Sequence, residues 1–89
     1  SSLDNIELKF PLKWYGSLLM TSGVNPSVEQ DVNQVYQALG LPDGVIEFGK
    51  VSSAGTYETW RLGCTVNDIS TLHALFHALE GLPGVRMLI

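Results

Sequence analysis

The chain has 89 residues, 45% of them hydrophobic and 16% charged, with nine acidic against five basic residues for a formal charge of -4. That length supports one hydrophobic core and not two, and the composition excludes the polar, highly charged class of disordered segments. A net negative field repels phosphate backbones and argues against non-specific nucleic-acid binding.

Residues 1–9 are expected to be a loosely ordered lead-in to a single domain over residues 1–89. No apolar run approaches the roughly 20 residues a bilayer requires. Ser1-Ser2-Leu3-Asp4 lacks the basic and apolar regions of a signal peptide, so the expected location is the cytoplasm. The single cysteine, Cys64, can form neither an internal disulfide nor a cysteine-based zinc site, as fits a reducing compartment.

The first predicted strand is Lys13 to Met20, rich in aromatic and aliphatic residues and closed by Thr21-Ser22-Gly23. Gly16 within it predicts a bulge or a close backbone approach. Asn25-Pro26-Ser27 then offers a helix N-cap at Asn25 with Pro26 at the first helical position, or a capping box between Ser27 and Gln30. Val28, Val32, Val35, Tyr36 and Leu39 recur at helical spacing and define one apolar face. Gly40 and Pro42 end that helix.

Val45 to Val51 and Thr56 to Val66 predict two strands joined by Ser52-Ser53-Ala54-Gly55, with Gly55 at positive φ. Trp60, Leu62, Cys64 and Val66 alternate with Thr59, Arg61, Gly63 and Thr65, the pattern of a half-buried strand. Asn67 or Asp68 caps a second helix with Ile69, Leu72, Leu75, Phe76 and Leu79 on one face. Gly81, Pro83 and Gly84 end it, and Val85 to Ile89 form the last strand. The order β-α-β-β-α-β with right-handed crossovers gives an α+β, ferredoxin-like two-layer sandwich: a four-stranded antiparallel sheet with two helices on one face. Another α+β arrangement of the same elements is the competing layout.

Phe10-Pro11 ahead of the first strand, the turn Ser53-Ala54-Gly55-Thr56-Tyr57 and the ending Gly84-Val85-Arg86-Met87-Leu88-Ile89 together resemble the bacterial YbeD-like family of unknown function. The resemblance spans most of the chain and is nearly gapless from Ser53 to Ile89. It implies a fold similar to ACT regulatory domains, which bind amino acids or other small effectors at subunit interfaces. Many ACT domains carry an Asp and a Gly between the first strand and helix. Here that turn is Thr21-Ser22-Gly23-Val24-Asn25, so the resemblance implies Ser22, Gly23 and Asn25 as the candidate effector loop; the Gly is present, and the absent Asp counts against an amino acid as the effector.

His73 and His77 are spaced to share a metal, but they point away from the helix's apolar face and only Glu80 lies nearby, so two solvated histidines are expected and no metal. Cys64 alternates in phase with core residues, which makes it a packing residue and not a nucleophile. No hydrolase elbow, phosphate-binding loop or dinucleotide fingerprint is present, so no cofactor, catalytic residue or enzyme activity is expected.

Charge placement is more informative than total charge. Lys13, Lys50, Arg61 and Arg86 fall on strands, while Glu29, Asp31, Asp68 and Glu80 are the helical charges. Alternation turns Tyr57, Arg61, Arg86 and Tyr15 away from the helices, onto an open face whose residue types are enriched at binding hot spots. The expected function is a non-catalytic regulatory or protein-interaction module. Its partner would be a protein or another copy of the chain, met through the sheet face or a strand edge, with a small effector as a further candidate. The alternative is a nucleic-acid-binding module, because the RNA-recognition fold shares this element order. Only Tyr57 faces outward as an aromatic between Thr56 and Val66, which counts against that alternative.

Overall fold

The structure is a computed structural model that describes residues 8–89. The expected loosely ordered segment therefore lies mostly outside the described residues. Leu8 and Lys9, which lie inside them, are exposed and in no regular element. Six elements follow in the predicted order: β1 Leu12–Thr21, α1 Val28–Ala38, β2 Val45–Val51, β3 Tyr57–Val66, α2 Ile69–Glu80 and β4 Val85–Leu88. The sheet is antiparallel in the order β2-β3-β1-β4, the ferredoxin-like arrangement in which each helix returns the chain across its neighbours.

The core lies between one face of the sheet and both helices. Leu18 and Met20 of β1 and Leu62, Cys64 and Val66 of β3 pack with Val28, Val32 and Tyr36 of α1 and Leu72, Leu75 and Leu79 of α2. Removing these side chains from water is the dominant favourable term in folding. Leu18, Met20, Val32, Val66, Leu75 and Leu79 are all at 0% exposure. Ile69, the first residue of α2, departs from the predicted apolar face and is 44% exposed.

The structure decides between the alternatives at Gly16 and changes the expectation at the start of α1. Gly16 is not a bulge, because β1 and β3 run in unbroken register from Leu12 opposite Val66 to Thr21 opposite Tyr57. The glycine instead makes room for the Trp14 ring, which a Cβ would meet at 2.4 Å. Bulges lie in β2 between Phe48 and Lys50 and at the β1–β4 pairing. At the start of α1, Ser27 is the N-cap residue but makes no side-chain cap bond, so neither predicted cap forms. Asn25 Oδ1 accepts from the Ser27 N–H at 2.8 Å, an Asx turn ahead of the helix.

The α2 cap does form: the Thr71 N–H donates to Asp68 Oδ1 at 2.7 Å. Gly40, Gly55 and Gly84 take positive φ where the helices and the hairpin turn.

Candidate functional site

Side chains alternate across a strand, so the residues between the buried ones build the second face of the sheet. The register sets them in rows. Tyr57 stands opposite Thr21; Lys50, Thr59, Leu19 and Met87 form the next row; Glu47, Arg61 and Ser17 the next; then Val45, Gly63 and Tyr15, with Lys13 opposite Thr65 at the far end. Ile89 joins the Ser17 row through paired backbone hydrogen bonds of 3.0 and 2.9 Å. Neither helix contributes to the buried cluster from this side.

Arg86 reaches the open face through the β4 bulge. Val85 pairs with Met20 and Met87 with Leu19, which leaves Arg86 as the extra residue between them. Its guanidinium carbon lies 5.9 Å from the centre of the Tyr57 ring, within cation–π range. Tyr15 lies across Gly63, where a Cβ would come within 3.0 Å of its ring, and one side of the tyrosine stays open at 74% exposure. The four residues anticipated as a binding face, Tyr15, Tyr57, Arg61 and Arg86, therefore share one surface.

The charges on that surface are not equivalent. Arg61 is paired with Glu47 on the neighbouring strand, and both side chains are well exposed. An exposed pair of this kind contributes little stability and balances its own charge locally. Asp43, just ahead of β2, accepts hydrogen bonds from the Thr65 hydroxyl at 2.6 Å and amide at 3.2 Å. Those bonds, the hydroxyl's first, hold the Asp43 carboxyl below the ordinary carboxylate value, with a smaller contribution from nearby Lys13.

Sequence reasoning missed the apolar part of the face. Met87 is 51% exposed and Ile89 73%, and with Leu19 they form a patch beside Tyr15. Alternation along β1 places Leu19 outward, and past the Arg86 bulge the register sets Met87 and Ile89 on the same face. That signal is hidden because Leu18-Leu19-Met20 and Met87-Leu88-Ile89 read as continuous apolar runs.

Of the candidate effector loop, Ser22 donates its backbone N–H to the Thr56 carbonyl at 2.9 Å and Gly23 turns at φ +80. Asn25 is buried, and its amide nitrogen donates to Asp31 Oδ2 at 3.0 Å and to the Pro83 carbonyl at 3.1 Å. Together with the bond from Ser27, these contacts commit the side chain to joining the start of α1 to the end of α2. An open groove of ≈ 660 Å³ runs from Asn25 along the amide-bearing side of α1 to Trp60. Trp60 stacks edge-on against Phe48 with ring centres 5.1 Å apart and donates to Glu58.

The remaining reactive groups do not converge. Cys64 is buried, and burial pushes its thiol up to about 11. Burial also raises the Tyr36 phenol well above its usual value, and the hydroxyl donates to the Val45 carbonyl at 2.7 Å. His73 and His77 are exposed on α2, and no group of three or more potential metal ligands gathers among the described residues. No described helix is long and apolar enough to cross a membrane.

No described protein family matches the chain, and no curated protein matches it. Solved structures do. One solution structure of HP0495 from Helicobacter pylori aligns with a TM-score of 0.73 at 18% identity, covering 96% of this chain and 88% of that one. A second HP0495 solution structure aligns at 0.64 and 18% identity, covering 97% and 99%. The uncharacterized TM1266 of Thermotoga maritima reaches 0.49 at 17% identity over 88% of this chain and 96% of that one. The HP0495 likeness shows the fold alone, and none of these matches ties the chain to a YbeD-like family or to ACT domains.

Proposed function

We propose that the domain is a non-catalytic regulatory or protein-interaction module, and that it binds its partner across the open face of the sheet. One observation carries this reading. Four of the five basic residues of an acidic chain stand on the face that the helices leave bare, interleaved with exposed Tyr15, Met87 and Ile89. Aromatic residues, Met and Arg around an apolar centre are the composition enriched at protein–protein contacts.

The effector loop is the weaker candidate, because Asn25 uses its amide in holding the two helices together. The strand edges are weaker too. The β2 edge is broken by a bulge and carries Lys50, and β4 is four residues long with a bulge of its own, devices that discourage edge pairing.

A photoreactive residue placed at Tyr15, with a control at His73 on the helix layer, tests the reading in the cells that make the protein. Protein adducts from the sheet position and none from the helix position are expected. Adducts from His73 alone, or from neither, would overturn it. The alternative of nucleic acid on the same face has the open Tyr15 ring in its favour as a stacking surface, and nucleic-acid adducts from that position would select it.

A further inference from the structure

We infer that the surface docking on the open sheet face is an acidic one on another protein, with carboxylates flanking an apolar contact, and not the same face of a second copy. The inference rests on the open-face reading and adds the chemistry of the partner. Leu19 and Met87 stand opposite each other, and Ile89 and Tyr15 occupy the following rows, so the apolar patch lies between the two ends of the face. The basic groups bracket it. Lys50 and Arg86 lie toward the Tyr57 end and Lys13 beyond Tyr15 with the Asp43 carboxylate nearby, while Arg61 in the interior is matched by Glu47, so Lys50 and Arg86 carry most of the unbalanced charge of the face.

Two copies joined face to face would cover the apolar patch but bring together two faces that each carry an excess of positive charge, Lys13, Lys50, Arg61 and Arg86 against Glu47 and Asp43. Like-charge juxtaposition suppresses such pairing, whereas carboxylates at the same places are attracted. The helices carry the opposite sign in Glu29, Asp31 and Glu80. Among the described residues the charge is thus polarised from helix layer to sheet, and the local field favours carboxylates at the open face and disfavours them at the other, although the net charge of the chain is negative.

The test uses the isotope-labelled protein and three probes: a peptide alternating Glu with Leu and Phe, the same peptide with Lys for Glu, and oligothymidylate. Peptides of about ten residues, at roughly 3.3 Å per residue, are long enough to cross the sheet. The acidic peptide is expected to shift the amides of Ser17, Leu19, Arg61 and Met87. Its affinity should weaken by about tenfold in Lys50→Glu/Arg86→Glu, because exposed charges each contribute a fraction of a kcal/mol and two are reversed. Lys50→Gln/Arg86→Gln should give a smaller loss in the same direction, and serves if the double reversal fails to fold.

Equal or tighter binding of the lysine peptide or of oligothymidylate to these amides would overturn the acidic-protein inference while leaving the open-face reading standing. Shifts confined to α1 and α2 would overturn both. Absence of shifts with every probe, or sedimentation of the free protein as a face-to-face dimer that Arg86→Glu does not weaken, would overturn the inference.

Discussion

Alternate residues of the same strands write the two faces of this sheet. On β1, Leu18 and Met20 are completely buried against the helices, while Tyr15 two rows away on the other side is 74% exposed. On β3, Leu62 and Cys64 belong to the core while Arg61 and Tyr57 look outward. One face is closed by its own chain and the other is left with apolar and cationic groups that the described residues do not cover. The covered face has its stabilising partners within the domain. On the proposed reading the bare one bears residues whose contribution to folding is small, as a surface kept for another molecule requires.

The sharpest break between the faces is in stability. Leu75→Ala removes a completely buried side chain from between the helix and the sheet. It should cost about 2 to 5 kcal/mol in denaturant melts, as buried leucine truncations do. Asn25→Ala comes next, at about 1 to 3 kcal/mol, because it strands the Pro83 carbonyl and the Ser27 amide as well as losing the bond to Asp31. A near-neutral result there would return Asn25 to the effector loop. His77→Ala, exposed on α2, should change stability by less than about 0.5 kcal/mol.

Chemical reactivity divides the faces in the same way. Cys64 is buried with its thiol pushed up to about 11, so a thiol reagent at neutral pH should label it only after denaturation. Fast labelling of the native protein would mean that the core face is open at that point.

The smallest expected effect is on the acid limb. The Asp43 and Asp68 carboxyls sit below the ordinary value of 3.8 in the folded protein, Asp43 through the Thr65 hydroxyl and amide and Asp68 through the Thr71 amide. A carboxyl depressed by folding contributes stability that is present above its unfolded value and lost as pH falls through the folded one. Asp43→Asn/Asp68→Asn keeps hydrogen-bond acceptors and a helix cap but removes the titration. Below about pH 4 its stability should fall less steeply with acid than that of the wild type. Parallel acid limbs would show that neither bond persists in solution.

The covered face was legible in the sequence because burial imposes a period. The spacing of Val28, Val32 and Tyr36 and the alternation of Leu62, Cys64 and Val66 reappear as the core without change. Local details were less legible where several atoms compete for one role. Gly16 signals a close approach, but residue type does not say that the Trp14 ring makes it. Asn25 and Ser27 both have cap chemistry, yet the Asn25 amide is held by Asp31 and by Pro83, and the second of these contacts reaches across most of the chain. On the open face alternation located Tyr15, Tyr57 and Arg61. The Glu47 partner of Arg61 and the bulge that delivers Arg86 depend on strand register, which pattern alone leaves free.

The most direct test of the division between the faces is the urea unfolding midpoint of Tyr15→Thr/Met87→Thr/Ile89→Thr, which strips exposed apolar groups while keeping strand-forming residues. If these side chains serve a partner and not the fold, the isolated domain should lose no more than about 1 kcal/mol, with an unchanged urea dependence. A loss as large as that of Leu75→Ala would show that the open face holds the sheet together, and would contradict the account.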